Sequence, residues 1–326
     1  MSFENPSGKT LTWLITGCSS GFGLAMARIA QSHGHNVIAT SRDPSRTPEL
    51  VDEIISRGGK WVKLDLIDVN CGQVIDDFEA QGTAIDVLIN TAAIGISGPL
   101  ESFNDDEIRR IMETNFLGPY RLIRAAAPRM RKRRSGIIVN FSSGAGLEAR
   151  QSLGFYGASK AALEGKWFIY MVWFLVFTSS GITKVLYKEL QDFNVRVLLV
   201  CLGSFNTGMS TRVKAVAKPL DLDYDRTTTR ENFDILTTGD LKVSGDHLKA
   251  VKVIYEVILG EGIGKGHEKE LMLPLGKDML LLIQKIKEKL THATEMFKDV
   301  GNNVNVDGED TLIETYSGTT FMRMPK

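Results

Sequence analysis

A tyrosine and a lysine four residues apart, Tyr156 and Lys160, are the side chains of this sequence best suited to acid–base chemistry. They lie in a helical pattern, where this separation places both on one face. A carbonyl group that accepts a hydride becomes an alkoxide and needs a proton, which a tyrosine hydroxyl can donate. A free phenol has a pKa of about 10, and a neighbouring ammonium group is expected to lower it. Ser143 follows an apolar run, where its hydroxyl can hold the substrate oxygen.

A glycine-rich turn near the N-terminus has the features of a dinucleotide-binding loop. Its sequence is Thr16-Gly17-Cys18-Ser19-Ser20-Gly21-Phe22-Gly23, and it lies between a first apolar run and a first helical pattern. Glycines let such a turn close and let backbone N–H groups approach a pyrophosphate at a helix N-terminus. The spacing is G-x-x-x-G-x-G rather than G-x-G-x-x-G, and such a loop alone could be only a tight turn.

The elements that must position these residues alternate between short apolar runs and longer helical patterns. The apolar runs are Leu11–Thr16, Asn36–Thr40, Trp61–Leu66, Ile85–Asn90, Gly136–Phe141 and Val195–Leu202. They show little alternation of polarity, which is typical of strands covered by helices on both faces. Helical patterns separate them at Gly23–Gly34, Asn70–Gln81 and Asp105–Arg134. The pattern predicts an α/β fold, a single doubly wound Rossmann-type domain over residues 1–300 with a parallel sheet of about seven strands.

Two regions depart from this alternation. Residues 208–250 are polar and poor in strand patterns, so we expect a mobile region that contacts substrate. A last helical pattern covers Asp278–Phe297, and residues 301–326 show no periodicity, which predicts a disordered tail.

The composition excludes several classes of function. Thirty-nine basic and thirty-nine acidic residues leave no net charge, which argues against a nucleic-acid-binding protein. The three cysteines, Cys18, Cys71 and Cys201, form no CxxC pair, which favours a reducing compartment and predicts no metal site. The N-terminal segment lacks the basic and apolar regions of a signal peptide. We therefore expect a cytoplasmic protein without a stable membrane span.

Several of these motifs, in this order, resemble the short-chain dehydrogenase/reductase family over Leu11 to about Met209. The matching positions are Thr16–Gly23, Asp65, Asn90, Asn115, Ser143 and Tyr156-x-x-x-Lys160. The surrounding sequence is most similar to the hydroxysteroid-dehydrogenase-like and retinol-dehydrogenase-like subgroup. The resemblance implies an oxidoreductase that interconverts a ketone and a secondary alcohol on a small apolar substrate, such as a tailoring reductase of secondary metabolism. It also implies a homodimer or homotetramer.

The resemblance assigns four catalytic residues. Tyr156 is implied as the general acid or base, and Ser143 as the residue that holds the substrate oxygen. Lys160 is implied to lower the pKa of the tyrosine and to bond the nicotinamide ribose. Asn115 is implied to help a water molecule pass protons to Lys160.

The resemblance also implies a set of cofactor-binding residues, in which Asp65 accepts from the adenine amino group. Arg124 is a weaker candidate that could equally be a solvated helix arginine. Leu202 replaces a proline that is usual in the family, so the hold on the nicotinamide could be looser. The full set is Gly17, Ser19, Ser20, Gly21, Phe22, Gly23, Ser41, Arg42, Asp65, Leu66, Asn90, Ala92, Arg124, Tyr156, Lys160, Phe205 and Thr207.

The end of the second predicted strand bears on the choice between NADP and NAD. Thr40 occupies the position where NAD-dependent members usually carry an aspartate, and Arg42 with Ser41 can bind a 2′-phosphate. Asp43 and the absence of a second basic residue at Ser20 argue for NAD. We predict NADP(H), with NAD as the less favoured alternative.

A hydrophobic segment, Lys166–Gly181, interrupts the helical pattern that carries Tyr156. Joining Gly165 to Ile182 restores a continuous apolar stripe, whereas sixteen extra residues rotate the second half by roughly 160°. The stripe comprises Ala162, Leu163, Ile182, Val185, Leu186 and Leu190. The segment could be a membrane contact, although a span needs about twenty residues. It could also be a substrate flap or translated intron, and we favour the intron because its sixteen codons keep the reading frame.

The interrupted helix leaves a second function open. If the insertion disrupts the helix that carries Tyr156, the chain would be a catalytically impaired protein that still binds the cofactor. Turnover with NADPH and a ketone, compared with cofactor binding alone, separates the two.

Overall fold

Seven parallel strands form one sheet at the centre of the chain. The computed structural model describes residues 8–164, 181–208, 212–241 and 243–302. The strands are β1 (Thr12–Ile15), β2 (Asn36–Ser41), β3 (Lys60–Lys63), β4 (Val87–Asn90), β5 (Gly136–Ser143), β6 (Val195–Leu202) and β7 (Met272–Leu275). Their order in the sheet is β3-β2-β1-β4-β5-β6-β7, and every pair is parallel. The predicted doubly wound α/β fold is confirmed.

Helices cover both faces of this sheet. They are α1 (Gly21–Ser32), α2 (Pro48–Ser56), α3 (Gln73–Ala80), α4 (Asp105–Met112), α5 (Gly118–Arg133), α6 (Gly154–Glu164), α7 (Ile182–Leu190), α8 (Thr228–Thr238), α9 (His247–Leu259) and α10 (Lys277–Asn302). A π-helical segment, Glu113–Leu117, joins α4 to α5, and a single helical turn, Gly144–Leu147, follows β5. None of the described helices is long and apolar enough to cross a bilayer.

The two faces of the sheet bury separate apolar clusters, which explains why the strands show no alternation of polarity. Trp13 and Ile15 pack into the cluster on the side of α1 and α9, while Leu14 between them packs into the cluster on the side of α5. Successive side chains of a strand point to opposite faces, so both sets must be apolar when both faces are covered.

The seventh strand was not located from the sequence. β7 has four half-buried residues and contains Pro274. It pairs only with β6 among the described strands, from Leu199 opposite Met272 to Leu202 opposite Leu275. Proline is tolerated on an edge strand because one side of its backbone needs no partner. The proline and the short length hid this strand.

The polar region 208–250 contains an eleven-residue helix, α8, which the sequence analysis did not predict. The Thr227 side chain caps its N-terminus by accepting from the Arg230 N–H at 3.2 Å. Arg230 also forms an ion pair with Asp234 at 3.0 Å, one turn later. Gly239 ends the helix with a φ of 83°. The capping residues were present in the sequence, but the low apolar content concealed the helix.

The C-terminal helix is longer than predicted. The pattern predicted a helix over Asp278–Phe297, whereas α10 extends to Asn302. The first two residues of the predicted disordered tail, Gly301 and Asn302, are therefore helical. Residues 303–326 lie outside the described residues.

The interrupted helix that carries Tyr156 consists of two described pieces. α6 ends at Glu164 and α7 begins at Ile182, and residues 166–180 of the insertion lie outside the described residues. The Thr183 hydroxyl donates to the Leu163 carbonyl at 2.5 Å, and both residues are buried. The end of α6 and the start of α7 are thus in direct contact.

The predicted apolar stripe is buried in part. Leu163 and Leu190 are buried, and Ile182 and Leu186 pack half-buried against the core. Val185 was expected on the same stripe but is 38% exposed.

Candidate active site

The glycine-rich turn packs tightly against the residues that directly follow β4. Gly17 has a φ of 74°, and a Cβ on it would lie 2.9 Å from the Ala92 Cα. A Cβ on Gly23 would lie 2.5 Å from the Gly17 carbonyl oxygen. The Thr16 hydroxyl accepts from the Thr91 and Ala92 N–H groups, each at 3.1 Å. Side chains at these glycines would collide with neighbouring protein atoms, so only glycine lets the turn pack this closely.

Helix α1 begins at Gly21, where Ser20 is the N-cap residue. The Ser20 side chain does not cap the helix, and the first turn of α1 contains no acidic residue. N–H groups at an uncapped N-terminus suit the negative oxygens of a phosphate. The Arg212 guanidinium donates to the Ser20 hydroxyl, which places a cation beside this turn. The sequence analysis did not identify Arg212, because 192 residues separate it from Ser20.

Other predicted residues surround the turn. Ser19 is half-buried in the same loop. The Phe22 ring packs against the Phe205 ring at 5.5 Å between centroids and at a steep angle. Thr207 contacts Gly21, where a Cβ would lie 3.3 Å from the threonine Cβ. The structure therefore brings Phe205 and Thr207 to the glycine-rich turn.

The end of β2 presents the side chain of Arg42 to solvent. Arg42 is exposed and has no ion pair among the described residues. Ser41 is buried, and its hydroxyl accepts from the Trp61 indole N–H at 3.0 Å. The Asp43 carboxylate accepts from the Ser45 hydroxyl at 2.6 Å and the Ser45 N–H at 3.2 Å. This hydrogen bonding lowers the pKa of Asp43 and engages its carboxylate in the turn after β2.

The strand ends on either side of β1 hold the remaining predicted cofactor residues. Asp65 is half-exposed and accepts from the Ile67 N–H at 3.2 Å. Leu66 is buried against Gly118, where a Cβ would lie 2.5 Å from the leucine Cβ. Asn90 is buried inside the sheet and donates to the Asn140 side chain at 2.8 Å.

Among the described residues, no hydrogen bond joins Arg124 to Asp65, Leu66 or Asn90. It is exposed on α5, with its guanidinium 5.7 Å from the centroid of the Tyr120 ring. This geometry is that of a solvated helix arginine stacked on an aromatic ring.

The loop after β6 lacks the usual proline but is held by hydrogen bonds. The Ser204 N–H donates to the Asp278 carboxylate at 2.7 Å, and the Gly203 N–H donates to the Leu275 carbonyl at 2.8 Å. The Asn206 N–H donates to the Gly245 carbonyl at 2.9 Å. These three hydrogen bonds therefore hold the backbone of the loop, where Leu202 stands in place of the usual proline. Asp278 was not predicted, since it lies 74 residues from Ser204.

Asn115 lies in the π-helical segment between α4 and α5. Its side chain is fully buried, accepts from the Ile94 N–H at 2.8 Å and donates to the Ile94 carbonyl at 2.9 Å. It also donates to the Ser159 hydroxyl at 3.0 Å, which ties it to α6 between Tyr156 and Lys160. The sequence predicted one helix over Asp105–Arg134, and the π segment marks where it departs from α geometry. Such segments often occur at functional sites.

Ser143, Tyr156 and Lys160 meet where β5 ends and α6 begins. The Ser143 side chain is close enough to Tyr156 to favour the ionised form of its hydroxyl and so to lower its pKa. Tyr156 and Lys160 are both buried, and the Lys160 ammonium donates to the Phe141 carbonyl at 2.8 Å. The three predicted catalytic side chains therefore lie together, with Asn115 linked to them through Ser159.

The pKa of Tyr156 differs from the expected direction. We expected Lys160 to lower it, but burial raises the pKa of Tyr156 above its ordinary value, and the Ser143 hydrogen bond opposes this only in part. Burial also lowers the pKa of Lys160 to about 8, against the opposing influence of Glu164. Desolvation disfavours the charged form of each group. At neutral pH the tyrosine is a protonated phenol, ready to donate, and the lysine is mostly an ammonium.

Apolar side chains surround Tyr156. Ala145 and Leu153 are buried with Tyr156 in one small cluster, and Leu236 of α8 packs against it. A Cβ on Gly154 would lie against the Leu100 side chain, so Leu100 also borders the start of α6. The region 208–250 thus contributes an apolar wall near Tyr156. The sequence did not identify Leu236, because α8 itself was not predicted.

Chemically, the arrangement joins an anion-binding turn to a proton donor. The glycine-rich turn lies at the carboxyl ends of β1 and β4, where the strand order reverses, which is where open α/β sheets bind their ligands. The tyrosine, serine and lysine stand at the end of the neighbouring β5. A dinucleotide on the turn and a carbonyl compound beside Tyr156 would lie on the same edge of the sheet.

The sequence was compared with known families and curated proteins. The family described as short chain dehydrogenase matches residues 12–167. An oxidoreductase of Passalora fulva, claN, is 38% identical over 197 residues, which are 60% of this chain and 83% of that protein. The 3-ketodihydrosphingosine reductase of Bacteroides thetaiotaomicron is 36% identical over 201 residues, 60% of this chain and 65% of that protein.

Solved structures share the fold. A short-chain dehydrogenase from Streptomyces avermitilis aligns with a TM-score of 0.75 and 27% identity, over 92% of this chain and all of that one. A metagenomic short-chain oxidoreductase in complex with NADP aligns with a TM-score of 0.52 and 31% identity, over 60% of this chain and 82% of that one.

Proposed function

This chain belongs to the short-chain dehydrogenase/reductase family, and on that premise we propose that it is an NADP(H)-dependent oxidoreductase acting on a ketone and the corresponding secondary alcohol of an apolar small molecule. The observation that carries the proposal is the meeting of Ser143, Tyr156 and Lys160 at the end of β5. The glycine-rich turn that suits a pyrophosphate lies on the same edge of the sheet.

The described residues fit a dinucleotide. Gly17 and Gly23 have no room for a Cβ and let the turn close tightly beside the N-terminus of α1, which has no side-chain cap. Of the residues predicted to bind, those of the turn together with Phe205 and Thr207 would hold the pyrophosphate and nicotinamide end, and Asp65 the adenine. The bound dinucleotide supplies the hydride for reduction or takes it up in oxidation.

The choice of NADP is supported by the end of β2. Oδ1 of Asp43 accepts two hydrogen bonds from Ser45, which compete with a ribose 2′-OH for this carboxylate. Arg42 is exposed beside it, where its guanidinium can bind a 2′-phosphate. Arg212 adds a second cation near Ser20, the position at which we noted the missing basic residue.

The protein's own groups would manage the proton and the carbonyl oxygen. The Ser143 and Tyr156 hydroxyls would both bond to the substrate oxygen. In reduction, Tyr156 donates its proton to this oxygen as negative charge develops there. The Lys160 ammonium lies one helical turn away and stabilises the phenolate left behind. In oxidation, the same groups act in reverse.

An apolar substrate is supported by the walls of the site. Ala145, Leu153 and Leu236 surround the tyrosine and offer no charged group to a substrate. Apolar pockets with a few convergent polar groups are usual for such ligands. The similarity to a reductase named for a keto-sphingoid base favours the same class of ketone. A role in secondary metabolism stays part of the proposal as one source of such ketones.

The test is turnover by the purified full-length protein. NADPH oxidation is followed by absorbance with a panel of ketones that differ in apolar size, and cofactor binding is measured separately by fluorescence. We expect turnover that increases with the apolar character of the ketone. Binding of NADPH without turnover on any ketone would favour the catalytically impaired alternative instead.

Tyr156→Phe is the matched variant for this test, since it removes one hydroxyl and little volume. We expect loss of at least 100-fold in kcat, roughly the contribution of general acid catalysis, with NADPH affinity nearly unchanged. Turnover within a few-fold of the parent protein would show that another group donates the proton.

Assembly and location are also proposed. We infer a homodimer or homotetramer in the cytoplasm; the three cysteines are buried free thiols, which suits a reducing compartment. Sedimentation equilibrium tests the assembly, and cell fractionation tests the location.

A further inference from the structure

A buried carboxyl group lies directly behind the catalytic pair, and the mechanism proposed above does not use it. Glu164 is the last residue of α6, four residues after Lys160 and eight after Tyr156. This spacing places all three side chains on one side of the helix. Glu164 is completely buried, at 0% exposure. An ionisable group in such a position is costly to bury unless its surroundings compensate.

The carboxyl group is held by groups of the two central strands. Its Oε1 accepts from the Ser142 hydroxyl, and the Cys201 thiol lies 3.8 Å from the same oxygen. Ser142 and Cys201 face each other in the register of β5 and β6. Ser142 directly precedes the catalytic Ser143. Glu164 therefore contacts the strand end from which the catalytic serine projects.

The other side of the carboxyl group is closed by a glycine. A Cβ on Gly146 would lie 2.9 Å from the Glu164 Cδ and 3.0 Å from each oxygen. Oε2 has no hydrogen-bond partner among the described residues. The packing thus admits the carboxyl group, and the part of the chain that the structure describes satisfies only Oε1 by hydrogen bonding.

Charge supplies the remaining compensation. Lys160 and Lys184 both interact favourably with an ionised Glu164, from α6 and α7 respectively. Burial opposes every charge in the group: it raises the pKa of Glu164 to about 7 and lowers those of Lys160 and Lys184 to about 8. Among the described residues, the ionisable groups that face this carboxyl are Tyr156, Lys160, Lys184 and Cys201.

We propose that Glu164 is a positioning residue of this active site, whose carboxylate lies one helical turn from Lys160 and supports its ammonium group, and whose bond to Ser142 fixes the strand end that carries Ser143. The inference rests on the proposed function, because it assigns a task to Glu164 through Lys160 and Ser143. Without the negative charge, burial alone acts on Lys160, which then loses its proton at a lower pH. A neutral lysine cannot stabilise the Tyr156 phenolate, so catalysis declines at a lower pH.

The test compares three proteins by the pH dependence of kcat for ketone reduction from pH 5 to 10. Glu164→Gln removes the charge and keeps the shape. Ser142→Ala removes the hydrogen bond to Glu164 and keeps the charge. We expect the alkaline decline to move to lower pH by about one unit in Glu164→Gln, and to stay at the parent pH in Ser142→Ala. Glu164→Asp, which keeps a carboxylate, should restore the parent pH in part.

Two further measurements keep the outcome clear. Thermal melting shows whether each variant is folded, and the titration of the Lys160 side chain by NMR with labelled lysine reports its pKa without turnover. A folded Glu164→Gln protein whose Lys160 titrates at the parent pH would overturn the inference. An equal shift in Ser142→Ala would also overturn it, since the hydrogen bond rather than the charge would then be responsible. If the parent protein lacks turnover, the proposed function fails while the NMR titration still decides the coupling.

Discussion

Deletion of Lys166–Gly181 should join α6 and α7 into one helix and stabilise the protein. The described contacts already have the spacing of a continuous helix. Thr183 donates to the Leu163 carbonyl across 20 positions, and removing 16 leaves a separation of four. A threonine hydroxyl in an α-helix bonds to the carbonyl four residues earlier. Lys184 and Glu164 are likewise 20 positions apart and become an i,i+4 pair, and they already attract each other.

The size of the effect follows from chain entropy. Holding the ends of a 16-residue loop together costs about (3/2)RT ln 16, or about 2.5 kcal/mol, beyond a constant. Deletion removes this cost and leaves the buried contacts of Thr183 and Leu190 in place. The gain should raise the melting temperature by about 5 °C. Tyr156 and Lys160 lie in the first two turns of α6, so we expect activity at least equal to that of the full chain.

The matched control removes fifteen residues, Lys166–Ser180, and so keeps Gly181. One extra residue rotates α7 by about 100° against α6, which takes Thr183 away from Leu163. This variant should melt below the sixteen-residue deletion and lose soluble yield. The assays are thermal melting, size-exclusion chromatography and NADPH oxidation on all three proteins.

Two results would refute this reasoning. If both deletions melt at the same temperature, the register of the two helices does not matter. If the full chain is equally stable and more active than the sixteen-residue deletion, the segment is a working part of the substrate site, and the intron interpretation is wrong.

Three further predictions follow from single side chains. Arg42→Asp should lower the ratio of kcat/KM with NADPH to kcat/KM with NADH by at least tenfold, because a carboxylate repels a 2′-phosphate and accepts from a 2′-OH. An unchanged ratio would show that Arg42 does not bind the phosphate. Asp278→Ala should cost about 1–3 kcal/mol of stability and weaken NADPH binding, because it leaves the Ser204 N–H without its acceptor. Asp278→Asn keeps an acceptor and should lose less stability. Equal losses of the two variants in urea titration would contradict the argument. Since the pKa of Glu164 is raised from 4.5 to about 7, the native state binds an extra proton between these values, and its stability should fall as the pH rises through that window. Glu164→Gln should lack this part of the decline when its stability is measured by urea unfolding at pH 5 and pH 7. If the stability of the variant and of the parent protein changes equally between these pH values, the prediction is wrong.

The sequence alone predicted the features that depend on local pattern. Six of the seven strands were located, because apolar runs of Val, Ile and Leu reflect burial on both faces. The glycine-rich turn and the Tyr156–Lys160 pair were found because their spacing within one turn or one helix fixes their geometry. Even the junction at Ile182 was predicted, since the apolar stripe repeats with the helical period.

Tertiary structure decided what depends on partners distant in the chain. Arg212 reaches Ser20, Asp278 holds the loop at Ser204, and Leu236 covers Tyr156 only because the fold brings these segments together. Burial also determines the pKa values of the site. We expected Lys160 to lower the pKa of Tyr156, but desolvation raises it. The carboxyl group of Glu164 is ordinary in the sequence and becomes notable only when two strands and a glycine enclose it. Spacing specifies which side chains share a face, whereas desolvation and long-range hydrogen bonds depend on everything packed around them.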